Sequence, residues 1–154
     1  MKQRIYIDTS IVGGYFDEVF ENDTKLLFER LEKKEVVFVV SEVLEQELEK
    51  APKHVQDLLS LYDADCFERV LLTNEATALA NCYIAENVVG KKCIDDCKHI
   101  AIATLNKVDV LASWNFKHIV NLDKIKEYNG INMRKGYAVI EIRNPKELIR
   151  YGND

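Results

Sequence analysis

Short apolar runs alternating with segments of helical period predict an α/β fold built on a mainly parallel sheet. Val36-Val37-Phe38-Val39-Val40 is a continuous apolar run of the kind shown by strands buried on both faces. Helical patterns separate it from two further runs, Ile5-Tyr6-Ile7 and Val108-Asp109-Val110-Leu111-Ala112-Ser113. The 154 residues suit one domain, expected over residues 1–154, and such a domain buries about two-thirds of its unfolded surface.

The first strand spans Ile5 to Asp8, and a Gly13-Gly14 turn leads to a helix near Asp23 to Lys34 with Leu26, Leu27, Phe28 and Leu31 inward. After the strand at Val36–Val40, Ser41 is placed to cap a helix from Glu42 to Ala51. At about 100° per residue, Val43, Leu44, Leu48 and Ala51 form its apolar face, and Glu47 falls inside that face. A carboxylate on a buried stripe is costly unless it is paired or binds a cation. A lysine across the interface, or a shifted helix boundary, would also account for Glu47.

Pro52 ends that helix, and His54 to Tyr62 reads as another, followed by a strand or edge at Phe67 to Leu72. Thr73 caps a helix to about Val89 that Gly90 closes. Lys91-Lys92-Cys93-Ile94 is a short loop before a buried helix, Asp95 to Leu105, whose alanines permit close packing. One of Asp95 and Asp96 is enough for an N-cap. If Asp96 lies in the first turn, it shares a face with Ile100 and Ala103 and leans toward the sheet. The strand at Val108–Ser113 then delivers Trp114 and Asn115 to its carboxyl end, and Gly136 to Ile142 reads as a final strand before a short helix at Asn144-Pro145.

Composition excludes several classes. No apolar stretch approaches the roughly 20 residues that span a bilayer, and nothing at the N-terminus resembles an export signal. Four cysteines are too few for a disulfide scaffold at this length, so reduced thiols in a cytoplasm are expected. The net charge of −5 argues against a general nucleic-acid coating protein. Its distribution is uneven: residues 1–90 hold nine Lys/Arg against eighteen Asp/Glu, whereas residues 91–135 hold nine against five. That second stretch, with Lys91, Lys92, Lys117, Lys124, Lys126, Arg134 and Lys135, could attract a polyanion or simply solvate helix faces.

Asp8 and Asn115 at strand ends, Glu47 on an inward face and Asp96 at a helix start can converge on one crevice, since ligands of parallel α/β sheets bind beyond the carboxyl ends of the strands. Clustered oxygen donors suit Mg²⁺ or Mn²⁺. Without a cation the three carboxylates would repel and raise one another's pKa values.

From Tyr6-Ile7-Asp8-Thr9-Ser10 through Val40-Ser41 and Glu47-Leu48 to Asp96-Cys97-Lys98-His99-Ile100-Ala101-Ile102-Ala103 and Leu111-Ala112-Ser113-Trp114-Asn115, the chain resembles the PIN-domain family of metal-dependent nucleases, which includes VapC-type toxins. No single motif is specific; their order and spacing carry the match. The resemblance implies a three-layer α/β/α PIN-like fold and hydrolysis of RNA phosphodiesters with Mg²⁺ or Mn²⁺. It also implies a role as the toxin of a toxin–antitoxin pair, with a cognate antitoxin as partner, and a homodimer. It makes Asp8, Glu47, Asp96 and Asn115 the catalytic residues, with Asp8, Asp96 and Glu47 at the metal. Asp8 with Thr9 would anchor the ion and its surroundings, and Glu47 could hold a metal-bound water. Asp95 is a further accessory candidate. Many members place a fourth acid about three residues after the asparagine; here that residue is His118. The substitution lowers the negative charge and opens a second reading, a PIN-like module that binds RNA or a protein without cleaving.

Other patterns compete. Cys93, Cys97 and His99 give C-x3-C-x-H, a partial zinc pattern without a regular fourth ligand, and Cys97 also suits a core. Trp114 and Tyr15 could stack on bases or pack internally. A phosphatase of the haloacid-dehalogenase type would need a second aspartate two residues after Asp8, where Ser10 stands.

Overall fold

The computed structural model describes residues 2–149; Met1 and residues 150–154, at the ends of the expected domain, lie outside it. In chain order the elements are β1 (Gln3–Ile7), α1 (Thr9–Gly14), α2 (Glu21–Glu32), β2 (Val36–Ser41), α3 (Glu42–Leu48), α4 (Lys53–Gln56), β3 (Phe67–Val70), α5 (Asn74–Ala85), α6 (Ile94–Leu105), β4 (Val110–Ala112), α7 (Leu122–Arg134) and β5 (Ile142–Arg143). The strands form one sheet in the order β3-β2-β1-β4-β5. All four pairings are parallel, with Ile5 opposite both Phe38 and Val110.

Two apolar layers sandwich this sheet, as the alternation along β1 requires. Tyr6 faces the layer formed by α5, α6 and α7, with Tyr83, Ile100, Ala103 and Tyr128 in its core. Ile5 and Ile7 face the opposite layer, where α1 and α2 contribute Ile11, Val12, Leu27, Phe28 and Leu31. The result is a three-layer α/β/α fold. Its strand order reverses direction between β1 and β4: the chain leaves β1 toward β2 on one side and returns through α6 to β4 on the other. Such a switch point leaves a crevice at the carboxyl ends of the two strands.

Local signals account for most boundaries. The Ser41 hydroxyl accepts from the Leu44 N–H and Thr73 accepts from Ala76, so both caps act as expected. Asn144 likewise caps the 3-10 turn at Pro145–Leu148. Several expectations are corrected. Helix α5 stops at Ala85, and Asn87 in the left-handed region (φ 62°) rather than Gly90 turns the chain away. Helix α3 ends at Leu48, short of Ala51, and the segment expected as a helix over 54–62 splits into α4 and a 3-10 turn at Leu58–Leu61. The final strand shrinks to Ile142–Arg143 because its neighbour β4 is only three residues long; Val139 stands exposed. Leu26 is exposed on α2 rather than inward.

Gly13-Gly14 is not a turn but the end of α1. Close packing explains Gly14: a Cβ there would lie 2.7 Å from Cδ1 and 2.8 Å from Nε1 of Trp114. The indole cannot retreat, since it stacks on Phe20 at 4.3 Å and donates to Thr24 at 2.9 Å. Gly14→Ala is therefore expected to cost about 1–3 kcal/mol through overpacking, lowering Tm by roughly 3–10 °C. Thermal unfolding by circular dichroism checks this.

Candidate active site

The crevice between β1 and β4 is where the backbone sets Asp8. Its N–H continues the ladder to the Ala112 carbonyl at 3.5 Å, and its carbonyl accepts from Ile11, so the residue ends the strand and starts α1. The carboxylate makes no cap bond. Instead Ser10 Oγ donates to Oδ1 at 2.6 Å and Ser113 Oγ donates to Oδ2 at 2.5 Å. Both hydroxyls are tied further: Ser10 accepts from the Trp114 N–H and Ser113 from the Asn115 N–H. The end of β4 thus locks the acid of β1. Burial, only partly countered by these bonds and by His99 when protonated, pushes the Asp8 carboxyl above the ordinary aspartate range.

Asp96 lies in the first turn of α6, whose N-cap is Cys93, so neither neighbouring aspartate serves as the cap. Asp96 is half-buried on the face it shares with Ile100 and Ala103, and Asn115 Nδ2 donates to its Oδ2 at 3.3 Å. Burial raises its pKa; His99 and His118 oppose this when protonated, and Asp8 and Glu47 add to it. Asp95 points away, exposed, with Lys98 Nζ at 3.8 Å. Asn115 also accepts from the His118 N–H at 3.0 Å, which fixes the turn after β4. His118 is half-buried in that turn, ahead of α7.

Glu47 owes its inward position to an imidazole. Its Oε1 takes bonds from His99 Nε2 and Thr9 Oγ1, both at 2.6 Å. His99 is almost fully buried, and its Nδ1 lies 2.6 Å from the Tyr6 hydroxyl, itself 2.7 Å from Ser41 Oγ. One proton assignment satisfies every group: Leu44 N–H donates to Ser41, Ser41 to Tyr6, Tyr6 to Nδ1, and Nε2–H to Glu47. Burial raises the Glu47 pKa, but the hydrogen bonds from His99 and Thr9 outweigh it and hold the carboxyl below its ordinary range. Because both bonds end on Oε1, Oε2 carries no hydrogen bond among the described residues.

The structure therefore brings Asp8, Asp96, Asn115, Thr9 and Glu47 to the carboxyl end of the sheet and turns Asp95 out of the site. Sequence reasoning missed Ser10, Ser113, Tyr6 and His99 as supports. A histidine three residues after Asp96 on an otherwise apolar helix was the available signal for the last. Asp8, Glu47 and Asp96 do not form a compact cage. Among the described residues the one group of metal-ligating side chains whose ligand atoms all lie within 4.8 Å of one another is Cys93, Asp96 and His118. The acids still fit a hydrated hard cation, which is commonly held by one or two carboxylates with waters completing the shell. Two of them, buried Asp8 and half-buried Asp96, have raised pKa values, a conflict that a cation relieves.

Asp8 raises a stability question whose sign is fixed. A folded-state pKa above the ordinary 3.8 gives stability that is full below 3.8 and lost as pH rises through the raised value. At neutral pH, where an aspartate of the unfolded chain is ionised, burying Asp8 without a cation opposes folding. Asp8→Asn is therefore expected to raise Tm in EDTA by roughly 2–4 °C, the shift about 1 kcal/mol produces in a domain of this size. A lower Tm than that of the wild type in calorimetry would contradict it.

The other candidate contacts resolve differently. Trp114 packs inside against Phe20, and Tyr15 packs edge-on to Phe28 at 5.2 Å. Cys97 is a core residue and His99 serves Glu47, so the C-x3-C-x-H set is not assembled. All four cysteines are free. Lys91, Lys92 and Lys117, close in sequence to Asp96 or His118, are exposed and form no ion pair among the described residues. By contrast Lys124 bonds the Val88 carbonyl and Arg134 pairs with Glu86.

No family model and no curated protein matches the sequence. Solved structures do match the fold. A structure of VapBC2 from Rickettsia felis bound to a DNA fragment from its promoter superposes with TM-score 0.57 at 14% identity, covering 92% of this chain and 98% of that one. A toxin–antitoxin complex from Klebsiella pneumoniae gives 0.57 at 16% identity over 78% and 93%. VapC20 of Mycobacterium tuberculosis, a toxin that cleaves the sarcin–ricin loop, gives 0.58 at 11% identity over 88% and 98%. The chain has the PIN-like fold of these proteins. None of its described helices is long and apolar enough to cross a membrane.

Proposed function

We propose that this protein is a divalent-metal-dependent endoribonuclease, using Mg²⁺ or Mn²⁺, and the toxin of a type II toxin–antitoxin pair. The observation that carries the proposal is the convergence of buried Asp8 and half-buried Asp96 at the switch point of the sheet, each held by hydrogen bonds from the end of β4. Asp8 and Asp96 would hold the cation, with Glu47 close by; when bound, the ion would supply activation of a water and neutralisation of the negative charge that builds up on the phosphoryl and leaving oxygens during in-line displacement. The chain's own groups do the rest. Ser10 and Ser113 fix the Asp8 carboxylate, and Asn115 fixes Asp96. Thr9 and His99 aim Glu47 so that Oε2 remains available to orient the attacking water. Exposed Lys91, Lys92 and Lys117 would contact backbone phosphates.

The toxin role rests on the likeness to toxin–antitoxin structures. Exposed Phe16, Val19 and Phe116 offer apolar surface for an antitoxin or a second copy of the chain. Purified protein is expected to degrade RNA with Mn²⁺ and to stop with EDTA. Binding without cleavage would instead favour a PIN-like module, the outcome that His118 in place of an acid would explain. Growth arrest on expression, relieved by a small neighbouring gene, tests the toxin role.

A further inference from the structure

We propose that Cys93, Asp96 and His118 form a second metal site, selective for a borderline-soft ion such as Zn²⁺, that takes Asp96 from the hard-cation site. The sequence spacing pointed to Cys93, Cys97 and His99; the fold retains only Cys93 of these and adds a carboxylate and a different histidine. Cys93 caps α6 three residues ahead of Asp96, so the two share one side of the helix start. The turn after β4, pinned by the bond from the His118 N–H to Asn115, brings the third ligand across. Ligand atoms of all three lie within 4.8 Å of one another.

A second observation concerns the same histidine. His118 Nδ1 is buried without a hydrogen-bond partner among the described residues, the one such side-chain atom found there. Buried polar atoms are normally satisfied, and a nearby ion would give the ring a role as ligand. The donor chemistry selects the ion. Thiolate and imidazole prefer Zn²⁺ over Mg²⁺, and three protein ligands with an open fourth position match zinc sites that keep a water or substrate. Ligands on one tetrahedral zinc sit about 3.5 Å apart, so the side chains close in by about 1 Å from the present limit. Binding releases the Cys93 thiol proton to solvent, and the thiolate with Asp96 balances the charge of Zn²⁺. Since Asp96 is shared, Zn²⁺ is expected to inhibit Mn²⁺-supported cleavage. The competition rests on the function proposed above, whereas the site does not.

Co²⁺ is the probe, because a cysteine ligand gives a thiolate-to-cobalt charge-transfer band in the near ultraviolet. The wild type is expected to show the band, and excess Zn²⁺ to abolish it. Cys93→Ser is expected to lose it and His118→Ala to weaken Co²⁺ binding at least tenfold, while Cys82→Ser keeps it; circular dichroism confirms that each variant is folded. A folded wild type without the band, or a band that survives Cys93→Ser, overturns the site. Asp8→Asn separates the two readings: it is expected to keep the band even where Mn²⁺ binding is lost.

Discussion

His99→Ala is expected to destabilise the protein by about 2–4 kcal/mol, lowering Tm by roughly 5–15 °C. The imidazole links two layers of the fold. Its removal leaves Tyr6, buried at the centre of the sheet, without a partner for its hydroxyl beyond Ser41, and leaves Glu47 with Thr9 alone. An inward carboxylate without its strongest partner is the costliest consequence, and the partial exposure of Glu47 places the cost below that of a fully buried pair. Thermal unfolding measures the first effect. The second is kinetic: with Glu47 unfixed, RNA cleavage is expected to fall about 10–100-fold, as when a supporting partner of a site carboxylate is removed. Thr9→Val, which takes one bond from the same oxygen, should show a smaller loss of each.

Asp8→Asn and Asp96→Asn are each expected to abolish RNA cleavage, by about 10³-fold or more, in protein that remains folded. The physical reason differs for the two. Asp8 is held on both oxygens by Ser10 and Ser113, and an amide can keep that geometry because hydroxyls both donate and accept. Its loss of activity therefore isolates charge from shape. Asp96 has a looser hold, a single bond from Asn115, while the turn that carries His118 stays pinned by the bond from the His118 N–H to Asn115. A cleavage assay on both variants, beside their melting curves, separates loss of site from loss of fold. Glu47→Gln is expected to fall with them.

The parts of this account that were legible in the sequence are those set by short-range rules. Asp8 at the end of an apolar run and Asp96 in a first turn are positions that periodicity places directly, and Glu47 is conspicuous because a charge interrupts an apolar face. Ser41 and Thr73 follow from cap chemistry. What stayed hidden depends on contacts distant in the chain. The partner of Glu47 is His99, 52 residues away; the alternative of a lysine across the interface had the right physics and the wrong residue. Gly14 reads as a turn until Trp114 is seen against it, 100 positions later. Cys93 and Cys97 look like a pair in sequence, yet one helical turn sends Cys97 into the core and leaves Cys93 facing Asp96. The segment before Ile142 is apolar enough for a strand, but an edge strand extends only as far as its neighbour, and β4 is short.

In the proposed function Asp8 and Asp96 together hold a hard divalent cation. Calorimetric titration of Mn²⁺ into metal-free protein at neutral pH tests it most directly. Wild-type protein is expected to bind Mn²⁺, and Asp8→Asn and Asp96→Asn to bind it at least tenfold more weakly, with each variant folded by circular dichroism. Wild-type affinity in both variants, or no binding by the wild type, would contradict it.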